Sequence, residues 1–256
     1  MTISFKRWQG TLPLIFSIAP LAFPSCHRHL SVAKSDYKQY NMDTQLAVDS
    51  AVVKYYLPYK EKMQAEMGKV IGQTEQELTK PSTPETLMGN FFSDAMLKEG
   101  LKKDPTIQFT LSTKGGLRTT FPKGNITVSN VFELMPFENE MVVLKLTGQN
   151  VQQVIDFIVK KDGEPVSGIR MKIKDHKAFD ITIGGQPFDI NKTYNLLTYD
   201  YLADGGDDLE CLRNPIERRE INQKVREAIL ENIQDLTSQG KKINAQLDER
   251  IIIVKD

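Results

Sequence analysis

The hydrophobic and polar positions of this chain switch between helical and strand-like spacing from about residue 43 onward. Apolar residues three or four positions apart predict helices, and strict alternation predicts strands. The predicted helices cover 43–67, 84–100, a short piece near 129–132, 149–161 and 218–236. The predicted strands cover 68–78, 106–113, 140–147, 169–173, 179–184, 193–200 and 250–254. This interleaving, without an internal repeat, favours a single compact domain that contains both helices and strands.

Three features of the predicted helices can be tested directly. Val48, Val52 and Tyr55 follow one another at helical spacing, and Leu46 and Val53 line the opposite side, so we expect other parts of the protein to cover the first helix on both faces. Pro58 lacks a backbone N–H and is expected to break or kink that helix. Gly100 is expected to end the second helix, because glycine is favoured just after a helix.

Composition agrees with an ordinary folded domain. The 256 residues contain 33 Lys and Arg against 33 Asp and Glu, and 40% are hydrophobic. A balanced charge gives no general attraction to nucleic acid or to a membrane surface, so we expect neither as a direct partner. The length suits one large domain, or one medium domain with a tail.

The N-terminal residues have the pattern of an export signal. Lys6 and Arg7 precede the uncharged apolar run 11–23, and Ser25 stands just before Cys26. We expect residues 1–25 to be a signal peptide of the lipoprotein type, with Cys26 as the lipidated first mature residue. The alternative is a plain secretory signal. Removing residues 1–25 takes away two cations and no acid, which leaves a net charge of −2.

The predicted organisation follows from these patterns. Residues 26–42 are polar and aperiodic and are interpreted as a flexible tether, and residues 43–256 as the folded domain. The mature protein is then expected in the periplasm or at the cell surface, attached to the membrane only through the lipid at Cys26.

The folded part has few residues suited to metal or nucleophilic catalysis. Of three histidines, only His176 lies in it, within a charged loop typical of a solvated side chain. Cys211 would have to pair with that same histidine to act as a nucleophile. No zinc, serine-hydrolase or phosphate-loop motif occurs. We therefore expect no catalytic residue and no metal ligand in this chain, and binding is favoured over bond breaking.

Two short segments offer binding chemistry. Gly115 and Gly116 precede Arg118, and such a pair lets the backbone approach a ligand while arginine holds an anion. Phe137 follows a proline in a polar loop, two residues before Asn139, so a flat ligand could meet both a ring face and an amide. Taken alone, the first segment is better explained by a strand-to-loop turn with a surface arginine, and Phe137 by a plug at the edge of the core.

A third segment, 199-YDYLADGGDDLECL-212, has similar chemistry. Tyr201 supplies a second ring, Gly205 and Gly206 bend the chain, and Asp207 can accept two hydrogen bonds from a sugar diol. The alternative is an acidic turn that binds calcium loosely, but the ligand spacing of an EF-hand is missing.

Five motifs in a fixed order resemble the C-terminal domain of the 5′-nucleotidase family. They are 88-MGNFFSDAM-96, 113-TKGGLR-118, 124-GNITVSNVFELMPFENEMVVLKLTG-148, 165-PVSGIRMKI-173 and 201-YLADGGDD-208. The resemblance implies an α+β domain with an α/β/β/α layered fold that binds the nucleoside part of a substrate. It implies that Phe137 and Tyr201 sandwich the base and that Asp207 holds the ribose.

By the same resemblance, Asn139 lies at the base edge, Arg118 is the arginine after the glycine pair, and Gly116, Gly205 and Gly206 shape the site. The chain departs from the family in three ways. The metallophosphatase domain with its two metal ions is absent from this sequence. Lys80 stands alone where the family often has arginines, and Thr113 replaces the usual asparagine.

Three hypotheses about function follow. In the first, the chain is the nucleoside-binding half of a split 5′-nucleotidase, and a separately encoded metallophosphatase chain supplies the divalent metals. In the second, it is a stand-alone nucleoside-binding lipoprotein. In the third, it is a degenerate domain that serves only protein interaction.

Overall fold

The computed structural model of the protein describes residues 34–41 and 47–254. The chain divides into two units, Met1–Asp49 and Ser50–Asp256. In the first unit, the described residues 34–41 and 47–49 are exposed and form no helix or strand. The predicted signal peptide and Cys26 lie outside the described residues, so the structure does not bear on them.

The second unit interleaves helices and strands. Its helices are α1 Ser50–Met67, α2 Leu87–Lys103, α3 Val128–Leu134, α4 Gly148–Lys160, α5 Asp200–Ala203 and α6 Val225–Ser238. Its strands are β1 Val70–Thr74, β2 Phe109–Leu111, β3 Gly124–Thr127, β4 Glu140–Thr147, β5 Val166–Ser167, β6 Ile169–Lys174, β7 Lys177–Ile183, β8 Gln186–Pro187, β9 Thr193–Tyr199, β10 Glu217–Lys224 and β11 Ile251–Ile253.

The strands form a five-stranded, a four-stranded and a two-stranded sheet. The five-stranded sheet has the order β10-β4-β9-β2-β5, the four-stranded sheet has the order β11-β6-β7-β8, and β1 pairs with β3. Within the large sheet, β9 is antiparallel to β4 and parallel to β2. Helix α2 packs on β2, β5 and β9, whereas α4 contacts strands of both larger sheets. The predicted α+β class is therefore confirmed.

The middle strands of the large sheet are buried in the core. The run from Met141 to Leu144 in β4 is fully buried, as are Leu196 and Leu197 in β9. A continuous apolar run of this kind is typical of a strand covered on both faces. The register of β4 against β9 places Met141 opposite Tyr199, so the loop before β4 and the chain after β9 lie at the same edge of the sheet.

The predicted break at Pro58 and the predicted helix end at Gly100 are wrong. Pro58 lies inside α1, which runs as one helix from Ser50 to Met67. Gly100 lies inside α2, which continues to Lys103. A β-carbon at Gly100 would come within 2.5 Å of Leu197 Cδ2, so glycine is there to let the helix approach the sheet rather than to end the helix.

Another prediction is partly wrong, because residues 218–224 belong to a strand and not to a helix. Strand β10 pairs antiparallel with the edge of β4, with Arg218 opposite Leu144. Arg219 also forms an ion pair with Asp104 at 2.7 Å. Pairing with distant segments thus overrides the helical preference of this stretch, and α6 begins only at Val225.

Helix α1 carries an exposed apolar stripe. None of its residues is buried, and Val52, Tyr55, Tyr59 and Met63 are all more than half exposed. The expectation that this helix is covered by the rest of the domain is therefore wrong. Within the described ranges, the apolar stretches of the helices are too short or too polar to cross a bilayer.

Candidate functional site

A cavity of about 370 Å³ lies where three separate segments meet. The segments are the loop after β2, the loop between α3 and β4, and the chain that leaves β9 through α5. The residues that line it are Gly115, Gly116, Arg118, Phe137, Asn139, Tyr199, Tyr201 and Asp207. Phe137 and Tyr201 expose 41% and 52% of their surface, so both rings are accessible from solvent.

The loop after β2 forms one wall through a tight turn. The N–H of Gly116 donates to Thr113 O at 3.0 Å, and a β-carbon at Gly116 would lie 2.7 Å from the Tyr199 hydroxyl. Glycine is therefore required where this wall meets β9. The Arg118 guanidinium donates to Gly115 O at 3.1 Å and lies 6.0 Å from the centre of the Phe137 ring.

A hydrogen bond from Lys114 to the buried Glu164 holds the loop after β2 in place. Its side chain is 6% exposed, and its carboxylate accepts the backbone N–H of Lys114 at 2.6 Å. Burial raises the pKa of Glu164, although the Lys114 N–H and the nearby Lys114 and Lys161 charges act in the opposite direction. The carboxylate thus fixes the backbone just before the glycine pair.

The loop that presents Phe137 is held by a buried arginine from α6. Arg226 Nη1 donates to the carbonyls of Met135 and Phe137 at 3.3 and 3.1 Å. Its Nη2 forms an ion pair with Glu138, and the guanidinium stacks 4.1 Å from the centre of the Phe132 ring. One side chain thereby fixes the backbone on both sides of the exposed phenylalanine.

The third wall depends on a glycine pair and a left-handed turn. A β-carbon at Gly206 would lie 2.5 Å from Cε1 of the Tyr201 ring, so only glycine fits beneath that ring. Gly205 has φ +87, and Asp207 follows with φ 53. Both values lie in the left-handed region that glycine adopts easily and aspartate tolerates. The turn brings the Asp207 side chain back toward the loop after β2.

Asp207 is held by two hydroxyl groups. Its Oδ2 accepts from Thr113 Oγ1 at 2.6 Å, and its Oδ1 accepts from the Tyr201 hydroxyl at 3.1 Å. The Tyr199 hydroxyl lies 3.4 Å behind Thr113 Oγ1. Burial raises the pKa of Tyr199 to about 12, so this phenol stays protonated at neutral pH.

The structure brings most of the predicted site residues together. Phe137, Asn139, Tyr201, Asp207, Arg118 and Gly116 line the cavity, while Gly205 and Gly206 shape the turn beside it. Their roles toward a ligand remain predictions. Sequence reasoning missed Tyr199, Glu164 and Arg226. Tyr199 lies two residues before Tyr201 in the same segment, so the sequence could have suggested it as a site residue. Arg226 lies in a distant helix, and nothing in the sequence connects it to the site.

Other groups considered in the sequence lie apart from this cavity. His176 occupies the turn between β6 and β7 with φ 57, and its side chain is exposed. Burial raises the pKa of the half-buried Cys211 thiol, which favours its protonated form. In residues 34–41 and 47–254, no three His, Cys, Asp or Glu side chains are grouped to hold a metal ion. We assign no metal ligand among them.

The fold and the cavity together define an α+β domain with a candidate small-molecule site. The sequence profile of the 5′-nucleotidase C-terminal domain matches residues 70–214, which is more than half of the chain. The chain therefore belongs to the 5′-nucleotidase C-terminal domain family.

Relatives and solved structures agree with this assignment. The chain is 29% identical over 183 residues to the protein UshA of Escherichia coli, an alignment that covers 66% of this chain and 32% of UshA. It is 25% identical over 175 residues to a 5′-nucleotidase of Vibrio vulnificus, with 65% of this chain and 31% of the relative covered. A 5′-nucleotidase precursor from Thermus thermophilus has the same fold, with a TM-score of 0.68 at 24% identity over 79% of this chain and 43% of that structure. The chain thus spans about a third of the length of these curated relatives.

Proposed function

We propose that this protein binds a nucleoside or nucleotide in the cavity between Phe137 and Tyr201. The two accessible rings stack on the faces of the base, Asn139 contacts its edge, and Asp207 accepts hydrogen bonds from the ribose hydroxyls. The observation that carries the proposal is the meeting of both rings and the carboxylate in one cavity, although they come from separate segments. Two stacking faces supply affinity because each is worth about 1–3 kcal/mol.

We further propose that this domain is the substrate-binding half of a split 5′-nucleotidase that hydrolyses phosphomonoesters in nucleotide catabolism. The match to the C-terminal domain of 5′-nucleotidases supports a role in nucleotide hydrolysis. A separately encoded metallophosphatase chain supplies the divalent metals and docks beside the open side of the cavity. The described residues bind and orient the nucleoside, and no bond-breaking step is assigned to them.

Export and lipid anchoring are part of the same proposal. The charged and apolar pattern before Cys26 supports a lipoprotein signal, and the polar residues 26–42 give the domain reach from a membrane surface. We propose that the mature protein is attached through Cys26 and faces the periplasm or the cell exterior. Mass spectrometry of the mature N-terminus tests this, and an unmodified Cys26 would contradict it.

A stand-alone nucleoside-binding role is the second candidate, and the charge of the cavity favours it. Arg118 is the one cation among the residues that line the described cavity, and Asp207 balances it. Lys80 donates to Leu117 O at 2.7 Å instead of lining the cavity. A site without net positive charge does not favour a phosphate over a neutral nucleoside.

Calorimetry with the purified chain tests the binding proposal. The probes are adenosine, guanosine, cytidine, uridine and their 5′-monophosphates. We expect at least one ribonucleoside to bind, and Phe137→Ala and Tyr201→Ala each to weaken it roughly tenfold through the loss of one stacking face. Tyr55→Ala, which removes an exposed ring from α1, is the matched control. Absence of heat with every probe would end the proposal.

A separate assay decides between the two functional candidates. Phosphate release from the same monophosphates is measured with the chain alone, with a candidate metallophosphatase chain alone, and with both. The split-enzyme proposal predicts that mixing raises the rate above the sum of the separate rates. Tight binding of nucleosides with no gain on mixing would support the stand-alone role.

A further inference from the structure

The Asp207 carboxylate is already engaged on both oxygens before any ligand arrives. Thr113 Oγ1 donates to Oδ2 at 2.6 Å, and the Tyr201 hydroxyl donates to Oδ1 at 3.1 Å. An ionised carboxylate has about four acceptor positions, two on each oxygen. Each oxygen therefore keeps one acceptor position after these two bonds are made.

The two donors bond to different oxygens of the carboxylate and differ in burial. Thr113 is 2% exposed and does not line the cavity. Tyr201 belongs to the cavity wall itself and is half exposed. The carboxylate is thus fixed between a buried hydroxyl and a ring hydroxyl, and it lines the cavity in this orientation.

The direction of the buried bond assigns the donor in the contact between Thr113 and the Tyr199 hydroxyl. Thr113 has a single hydroxyl proton. An ionised Asp207 has no proton to donate, so Thr113 must donate that proton in the hydrogen bond between them. The 3.4 Å contact between Thr113 Oγ1 and the Tyr199 hydroxyl is then made with Tyr199 as the donor. Because burial keeps the phenol of Tyr199 protonated, this donor is present at neutral pH. The order of donation is Tyr199 to Thr113 to Asp207.

We propose that the hydroxyls of Thr113 and Tyr201 are positioning groups that orient Asp207 to bind a vicinal diol. With one acceptor position left on each oxygen, the carboxylate matches two neighbouring hydroxyl groups and so selects a ribonucleoside over its 2′,3′-dideoxy counterpart. This inference rests on the proposed nucleoside binding and adds the source of its sugar selectivity. It gives Tyr201 two separable functions, one for the ring and one for the hydroxyl.

Substitutions separate these two functions. Tyr201→Phe keeps the stacking face and removes the hydroxyl, and Thr113→Val keeps the shape and removes the buried donor. Thr113→Ser restores a hydroxyl at the same position and serves as the conservative rescue. Tyr55→Phe removes the same phenolic oxygen from exposed helix α1 and serves as the matched control.

The measured quantity is the ratio of the dissociation constants for the 2′,3′-dideoxynucleoside and the ribonucleoside. Adenosine, guanosine, cytidine and uridine are compared with their 2′,3′-dideoxy analogues by calorimetry. We expect the wild type and Tyr55→Phe to prefer the ribonucleoside. We expect Tyr201→Phe and Thr113→Val each to reduce the ratio roughly five- to tenfold, because a misplaced charge-assisted acceptor loses most of its advantage. Affinity for the dideoxynucleoside should stay within about twofold, since the rings remain. Thr113→Ser should restore the ratio.

The outcomes distinguish a failure of the positioning role from a failure of the proposed nucleoside binding. If no nucleoside of either kind binds the wild type, the proposed function fails. If nucleosides bind and the ratio is the same in the wild type, Tyr201→Phe and Thr113→Val, the positioning role is refuted and the binding proposal stands. A ratio that rises in the variants would also refute it, because the hydroxyls would then be competing with the sugar for Asp207.

Discussion

Replacing Arg226 by methionine tests whether one buried side chain holds the loop that presents Phe137. Methionine keeps the aliphatic packing of the arginine stem but removes every donor. The carbonyl of Met135 then loses its donor in a residue that is 1% exposed, which costs about 1–2 kcal/mol. Loss of the stacking at 4.1 Å on Phe132 adds about 1 kcal/mol. Loss of the donor to the Phe137 carbonyl costs less free energy, because Phe137 is partly exposed and water can replace the donor.

The expected total is a loss of about 2–4 kcal/mol in the free energy of unfolding. For a domain of this size that corresponds to a fall of roughly 4–16 °C in the melting temperature. Urea unfolding of the full chain, followed by far-UV circular dichroism, measures the change in the free energy of unfolding. Arg170→Met is the matched control, because Arg170 pairs with Asp248 at the surface and should contribute less than about 1 kcal/mol.

The reasoning would be refuted if the free energies of unfolding of Arg226→Met and Arg170→Met differed by less than about 0.5 kcal/mol, because a buried arginine that holds the loop must contribute more than a surface ion pair, which is worth less than about 1 kcal/mol. A second readout addresses the site itself. Loosening the loop should weaken ribonucleoside and dideoxynucleoside binding to the same extent, since the ring that both ligands share becomes less well placed.

Two further predictions concern the other walls of the cavity. Because burial raises the pKa of Glu164, its contribution to stability is present below its unfolded pKa and lost as the pH rises through its folded pKa. Glu164→Gln, which keeps an acceptor for the Lys114 N–H, should flatten the loss of stability that urea titrations detect as the pH rises above the ordinary pKa of a glutamate carboxyl; an unchanged slope would show that the carboxyl does not cause it. Gly206→Ala should destabilise the fold by about 1–3 kcal/mol, because its β-carbon would lie 2.5 Å from the Tyr201 ring. Gly115→Ala, with only Asp207 Oδ2 within 4 Å at 3.9 Å, should melt like the wild type, so equal melting temperatures for the two alanine variants would contradict this explanation.

The spacing of apolar residues correctly predicts a helix or strand when the element's own apolar residues are the ones that become buried. The apolar run of β4 falls at 140–147 in both the prediction and the structure. The pattern of β10 favours a helix because its charged residues are good helix formers, whereas its pairing with β4 and its ion pair with Asp104 depend on contacts more than 70 residues away. The prediction for Gly100 is wrong for a similar reason, since the side chain it must avoid is that of Leu197.

The same division applies to the candidate site. Phe137, Tyr201 and Asp207 can be found because motifs in order point to them, and each lies in the described cavity. The groups that hold them in place cannot be found in this way. Arg226 follows the loop it fixes by about 90 residues, and the hydroxyl of Thr113 is a mere departure from the family pattern until its bond to Asp207 is seen. Support of this kind is set by tertiary contacts, which spacing along the chain does not encode.

The three walls of the cavity come from distant parts of the chain that the pairing of β2, β9 and β4 brings together. An unfolded polypeptide therefore has no partial version of this site, and a compound that occupies it stabilises the native state alone. Such a compound at about a hundred times its dissociation constant adds about 2.7 kcal/mol. A nucleoside library can accordingly be ranked by melting temperature alone, without labels and without an assay of catalysis.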